Sequence, residues 1–66
     1  MNKMTKIFKH TERDQAIAFV NYVSKFYTMK SSNEFYGLVV EIEYNPSHGE
    51  QLILEVAYEQ AMNGTL

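Results

Sequence analysis

The sequence contains no cysteine, so neither a disulfide framework nor a thiolate metal site is available to it. Its two histidines, His10 and His48, are far apart in the chain, which leaves a transition-metal site without convergent ligands. The 66 residues are too few for more than one domain, residues 1–66. Small chains without a disulfide or a metal often gain stability from a partner subunit, so the sequence predicts a homo-oligomer.

Long apolar runs are also missing. No segment approaches the length of about 18 apolar residues that a membrane span requires, and residues 1–9 are too polar for a signal peptide. A hydrophobic content of 45% nevertheless argues against a disordered chain. We therefore expect a folded cytoplasmic protein that does not contact a membrane.

Basic residues are absent from the second half of the chain. Residues 1–33 hold all six bases against two acids, a net charge of +4, whereas residues 34–66 hold six glutamates and no base. Such asymmetry is typical either of a charged binding surface or of two halves that pack together and neutralise each other.

A helix is predicted over residues 12–30. Thr11 is a favourable N-cap, and Glu12 and Asp14 place negative charge in the first turn, where the helix dipole favours it. Apolar residues recur along this segment at the spacing of one helical face: Ala16, Phe19, Val20, Val23, Phe26 and Tyr27.

A β-hairpin is predicted after this helix. Apolar residues alternate with other residues from Leu38 to Tyr44 and again from Leu52 to Tyr58, and residues 45–49 between them are turn formers. Pairing about this turn places Ile42 opposite Leu52 and extends in register to apolar pairs on one face. With a short strand at residues 5–9, in which Ile7 or Phe8 enters the core, the expected fold is α+β. It has the order β-α-β-β, with one amphipathic helix packed on a small, mainly antiparallel sheet.

The last segment has a second interpretation. Residues 50–62 are rich in helix formers, Asn63-Gly64 is a plausible C-cap, and Leu54, Ala57, Tyr58 and Ala61 form one helical stripe from which Leu52 and Val56 are displaced. In that case the order is β-α-β-α.

Motifs for catalysis are lacking. The sequence has no nucleophile elbow, no Gly-rich phosphate loop and no cysteine nucleophile, so we expect a non-enzymatic protein without a cofactor. Residues 16–23 resemble a helix of the pterin-carbinolamine dehydratases. The His-His-Pro motif of that family is replaced here by Ser32-Asn33-Glu34, and the chain is not assigned to it.

The strand interpretation places four glutamates on the outer face of the hairpin, around an apolar streak. The predicted partner-binding residues are Glu41, Glu43, Glu55, Glu59, Val39 and Ile53. Such a face suits a basic protein partner, including a nucleic-acid-binding protein, that the chain would regulate or inhibit. A structural alternative is that Lys3, Lys6 or Lys9 on an adjacent first strand neutralise these acids. The functional alternative is a nucleic-acid-binding regulator that uses the Lys-rich N-terminus, and the acidic hairpin argues against it. The small size is also typical of phage accessory proteins.

Overall fold

The computed structural model of the protein describes residues 2–66. Within this range the elements follow the order β-α-β-β-α, and a single 3-10 turn precedes each helix. The strands and helices are β1 (Asn2–Phe8), α1 (Arg13–Phe26), β2 (Thr28–Glu34), β3 (Gly37–Tyr44) and α2 (Glu50–Met62). The predicted α+β class, with an antiparallel sheet packed against helix, is confirmed.

The strand β3 lies at the centre of the sheet. The order is β1-β3-β2, and both outer strands run antiparallel to β3. In this register Met4 of β1 and Met29 of β2 flank Ile42. The alternation predicted for residues 38–44 is confirmed, because Val40, Ile42 and Tyr44 are buried on one face of β3.

The prediction that residues 52–58 form the second strand of a hairpin is wrong. Residues 50–62 form α2, so Leu52 does not lie opposite Ile42, and β3 pairs instead with β1 and β2. The alternative helical interpretation is confirmed. The helix ends in a Schellman motif, in which the amide of Thr65 donates to the carbonyl of Gln60 at 2.8 Å and that of Gly64 to Ala61 at 3.1 Å.

The strand β2 is absent from the sequence prediction. The predicted helix over residues 12–30 is too long, because Tyr27 is extended (φ −137°, ψ 156°) and Thr28 begins a strand. In β2 only Met29 is even partly shielded from solvent. This strand is held by its hydrogen-bonded ladder to β3 rather than by burial. Its sequence therefore has no apolar periodicity from which a strand could be predicted.

Both helices cover the same face of the sheet. The largest fully buried side chains come from all these layers: Phe8, Phe19, Val23, Val40, Ile42 and Leu54. The rings of Phe8, Phe19 and Tyr58 lie 5.4–5.9 Å apart and join β1, α1 and α2. Of the two candidates in the first strand, Phe8 enters the core and Ile7 is 49% exposed.

Three residues predicted for the core are on the surface. Phe26 is 65% exposed because α1 ends there, and Leu52 and Val56 are 70% and 43% exposed because they lie on the outer side of α2. The other face of the sheet is covered by neither helix. We call it the open sheet face; it consists of Lys3, Thr5, Ile7, Thr28, Lys30, Ser32, Glu34, Val39, Glu41 and Glu43.

Candidate interaction surfaces

The structure divides the predicted partner-binding residues between two separate surfaces. Val39, Glu41 and Glu43 lie on β3 in the open sheet face, whereas Ile53, Glu55 and Glu59 lie on α2, beyond the opposite face of the sheet. The expectation that all six share one face is therefore wrong. It assumed the period of two residues of a strand for a segment that turns with the period of a helix.

On the open sheet face each glutamate of β3 has a cationic neighbour across the strands. Lys3 of β1 lies opposite Glu43, and Lys30 of β2 lies opposite Glu41. Directly opposite residues of an antiparallel pair have Cβ atoms about 4.5–5.5 Å apart, close enough for opposite charges to attract. This face is a mixed-charge surface in which lysines lie across from Glu41 and Glu43, although no lysine forms an ion pair with either acid among residues 2–66.

A patch of apolar side chains lies on the outer side of α2. Leu52, Ile53 and Val56 are 70%, 45% and 43% exposed, although the inner side of the same helix contributes Leu54 to the core. We call these three residues the α2 patch. Leu52 and Ile53 are both neighbours of Val56 on the helix surface, because they precede it by four and three residues.

Two shallow grooves flank the α2 patch and share Leu52 and Val56 as the ridge between them. The groove of about 300 Å³ is bordered by Tyr22, Leu66 and Gln60. The groove of about 370 Å³ is bordered by two carboxylates and an amide, Glu55, Glu59 and Asn63, and by Tyr58 and Met62. One surface therefore offers an apolar ridge with an apolar groove on one side and carboxylates on the other.

The glutamates of α2 differ in how they are compensated. The Nζ atom of Lys6 lies 2.7 Å from Oε1 of Glu55 and 4.6 Å from the ring centre of Tyr58. Lys6 therefore crosses from the sheet to α2, and the alternative that a lysine of the first strand neutralises these acids holds for Glu55. Glu59 has no ion-pair partner among residues 2–66.

The N-terminal end of α2 is tied to the preceding turn. Oε1 of Glu50 accepts a hydrogen bond of 2.7 Å from the backbone amide of Asn45, and its Oε2 lies 3.7 Å from Nδ1 of His48. Nearby, burial raises the pKa of the Tyr27 phenol, and the Glu50 carboxylate and Tyr22 raise it further.

A third surface feature is a basic cleft of about 570 Å³ beside the start of α1. Lys9, His10 and Arg13 line it together with apolar residues and one amide: Ala16, Ile17, Leu38 and Asn33. Nε2 of His10 donates to the carbonyl oxygen of Phe35 at 3.0 Å, which ties the 3-10 turn before α1 to the β2–β3 turn. The other two N-terminal lysines lie elsewhere, Lys3 on the open sheet face and Lys6 beside Glu55.

Within residues 2–66 no charged or polar side chain is buried, and no three His, Asp or Glu side chains converge as metal ligands. Neither α1 nor α2 has the length and apolar character needed to cross a membrane.

Sequence reasoning missed the α2 patch but contained a signal for it. On a helical wheel Leu52 and Val56 fall off the stripe of Leu54, Ala57 and Ala61, which is the stripe that the structure buries. Large apolar residues off the buried stripe of a helix are solvent-exposed. The strand interpretation hid this by placing Leu52 and Leu54 on one face.

Comparisons with known proteins add no relative from which a role could be transferred. The chain matches no protein-family model, no curated protein and no solved structure. Its candidate function therefore depends on the geometry of these surfaces.

Proposed function

We propose that this protein is a non-enzymatic, cytoplasmic binding module that regulates or inhibits a protein partner through the α2 patch and that itself self-associates. The observation that carries the proposal is the exposure of Leu52, Ile53 and Val56 together on one side of α2. Contiguous apolar side chains with a polar rim are the common composition of a protein–protein interface.

The energetic argument follows from the size of these side chains. Complete burial of a Leu, Ile or Val side chain contributes about 1.5–3 kcal/mol. A partner that covered Leu52 and Val56 would recover part of this amount at each residue, and its own side chains would enter the two grooves beside the ridge. Such a cluster at the centre of an interface supplies most of its affinity.

The negative charge around the α2 patch favours a partner with basic residues. α2 carries Glu50, Glu55 and Glu59 and no basic residue, and Glu59 has no ion-pair partner among the residues described. A second acidic copy would place like charges together on this surface. The complementary partner is a protein segment with apolar side chains flanked by lysine or arginine, whose association is accelerated by charge at low salt.

The proposal is tested with an immobilised chain and a cell lysate, followed by identification and purification of the captured protein. The double variant Leu52→Ser/Val56→Ser should weaken binding of that purified protein by about tenfold or more, because each change removes buried apolar area at the centre of the contact. The matched control is Val39→Ser on the open sheet face, which should bind like the unchanged chain. Equal binding by all three proteins would contradict the proposal.

A charge reversal tests the acidic half of the proposal separately. Glu59→Lys should slow association with the purified partner, whereas Glu41→Lys, which makes the same change on the open sheet face, should not. Circular dichroism confirms that both variants fold. Loss of binding in Glu41→Lys alone would assign the function to the open sheet face and overturn the choice of α2.

The basic cleft supports a second candidate function, a nucleic-acid-binding regulator. Lys9, His10 and Arg13 converge there, although the N-terminal lysines as a group do not. Fluorescence anisotropy with a random-sequence single-stranded oligonucleotide tests this candidate. Binding that weakens steeply with salt and is lost in Lys9→Gln/Arg13→Gln would favour it over the protein-binding proposal. The absence of binding at low salt would exclude it.

A further inference from the structure

The strand β2 is an open edge of the sheet over its whole length. It contains seven residues, Thr28–Glu34, and six of them are exposed. One side of β2 pairs with β3, and no strand within residues 2–66 pairs with the other side. The edge contains neither proline nor glycine, so its outer amides and carbonyls are free to continue the sheet.

Symmetry restricts how a second copy could add to this edge. Two identical antiparallel edges related by a two-fold axis must pair about a central residue that faces its own counterpart. Only a centre at Ser32 places Lys30 of each copy opposite Glu34 of the other. The two ion pairs form together, and both lie on the same side of the sheet as the open sheet face.

The same register also places the exposed aromatic residue at the end of the strand. Phe35, in the turn that follows β2, is 93% exposed, and this pairing brings that turn to the end of β2 of the second copy, where Met29 lies. Met29 projects to the helix-covered side of the sheet because it is the partner of Ile42. The paired charges of Lys30 and Glu34 thus favour one register, and the exposed Phe35 ring lies at each end of it.

We infer that the protein forms a two-fold dimer through antiparallel β2–β2 pairing centred on Ser32, a contact that rests on the self-association proposed above. The product is a continuous sheet of six strands, three from each copy, with both helical layers on one side. The α2 patch takes no part in this contact and stays available to a different protein.

A cysteine cross-link tests the register. The chain has no cysteine, so Ser32→Cys introduces a single thiol. Directly opposed residues have Cα atoms about 4.5–5.5 Å apart, which is within the range for a disulfide. Mild oxidation should convert most of this variant into a covalent dimer. Ser24→Cys, an exposed position on α1, is the control and should remain largely monomeric on a non-reducing gel.

A charge swap tests the pairing of Lys30 with Glu34. Lys30→Glu and Glu34→Lys should each raise the dimer dissociation constant by about tenfold, because each places two like-charge pairs across the interface. The double variant Lys30→Glu/Glu34→Lys should restore dimerisation. Lys25→Glu makes the same charge change on α1, outside β2, and should leave the constant unchanged.

Sedimentation equilibrium distinguishes the outcomes. The change Lys30→Glu also places a like charge opposite Glu41 within each copy, and the double variant keeps that repulsion. Recovery in the double variant therefore supports the inference, since an effect on the fold alone would persist. A dimer that ignores the swap and resists the Ser32→Cys cross-link would overturn the β2 interface but leave self-association standing. A chain that stays monomeric at all concentrations would overturn both.

Discussion

At Gly37 the backbone of β3 passes so close to the end of β1 that a Cβ atom would overlap the carbonyl oxygen of Phe8. Gly37 also has φ of +147°, a backbone conformation that residues other than glycine rarely adopt. Gly64, at the end of α2, has φ of +74° but open space around its Cα. Both glycines therefore have an unfavourable φ for other residues, but only at Gly37 would a side chain also overlap a neighbouring strand.

Replacement of these glycines by alanine should have unequal effects. Gly64→Ala should lower the free energy of unfolding by about 1–2 kcal/mol, the cost of a left-handed alanine. Gly37→Ala should cost more, because the β1–β3 ladder must shift to accommodate the methyl group. Urea denaturation of both variants measures the difference. Equal costs would show that β1 and β3 do not approach each other this closely.

The raised pKa of Tyr27 makes the stability of the fold depend on pH in the alkaline range. Its pKa is raised in the folded chain by burial, by Glu50 and by Tyr22, so above pH 10 the unfolded chain loses this proton more readily than the folded one. The contribution is complete below the unfolded pKa and is lost as pH rises through the folded pKa. Tyr27→Phe should therefore show a smaller decline in the free energy of unfolding as the pH rises above about 10. Parallel declines in the two proteins would exclude the shift.

Among the elements, α2 provides the clearest test of local structure. A strand would place Leu52 and Leu54 on the same face, whereas the helix buries Leu54 completely and leaves Leu52 70% exposed. Leu54→Ala should cost about 2–5 kcal/mol of unfolding free energy, because it leaves a cavity in the core. Leu52→Ala should change this quantity by no more than about 0.5 kcal/mol. Equal costs would favour the strand.

The sequence predicts those elements whose apolar residues follow one period only. The stripe of Ala16, Phe19 and Val23 predicts α1, and it is buried as expected. The segment from Leu52 to Tyr58 fits both periods. Every second residue in it is a large apolar residue, as in a strand, although the segment forms a helix. β2 is invisible to this reasoning because its one partly buried apolar residue, Met29, defines no period.

The candidate site was only half predictable for the same reason. Ile53, Glu55 and Glu59 share α2, but Ile53 borders one groove and the two glutamates border the other. Their separation from Glu41 and Glu43 depends on which side of the sheet α2 covers, and local sequence does not encode that. Pairing of Lys3 with Glu43 likewise requires the order of strands in the sheet.

At the scale of the whole molecule, the chain combines a small core with exposed apolar residues and two open sheet edges. We expect its melting temperature to rise with protein concentration, because association stabilises the folded chain by mass action. Calorimetry from micromolar to millimolar concentration measures this dependence. A melting temperature independent of concentration, together with a monomer in sedimentation, would contradict self-association.

The central position of β3 also dictates when the fold becomes possible during synthesis. β1 and β2 are consecutive strands, yet neither touches the other, and each finds its native partner only in residues 37–44. Until the ribosome has released those residues, the sheet cannot form, and the core side chains Phe8, Phe19 and Val23 stay exposed. A nascent chain that stops at Tyr36 should therefore be bound by chaperones, and one that includes the whole of β3 and α2 should escape them.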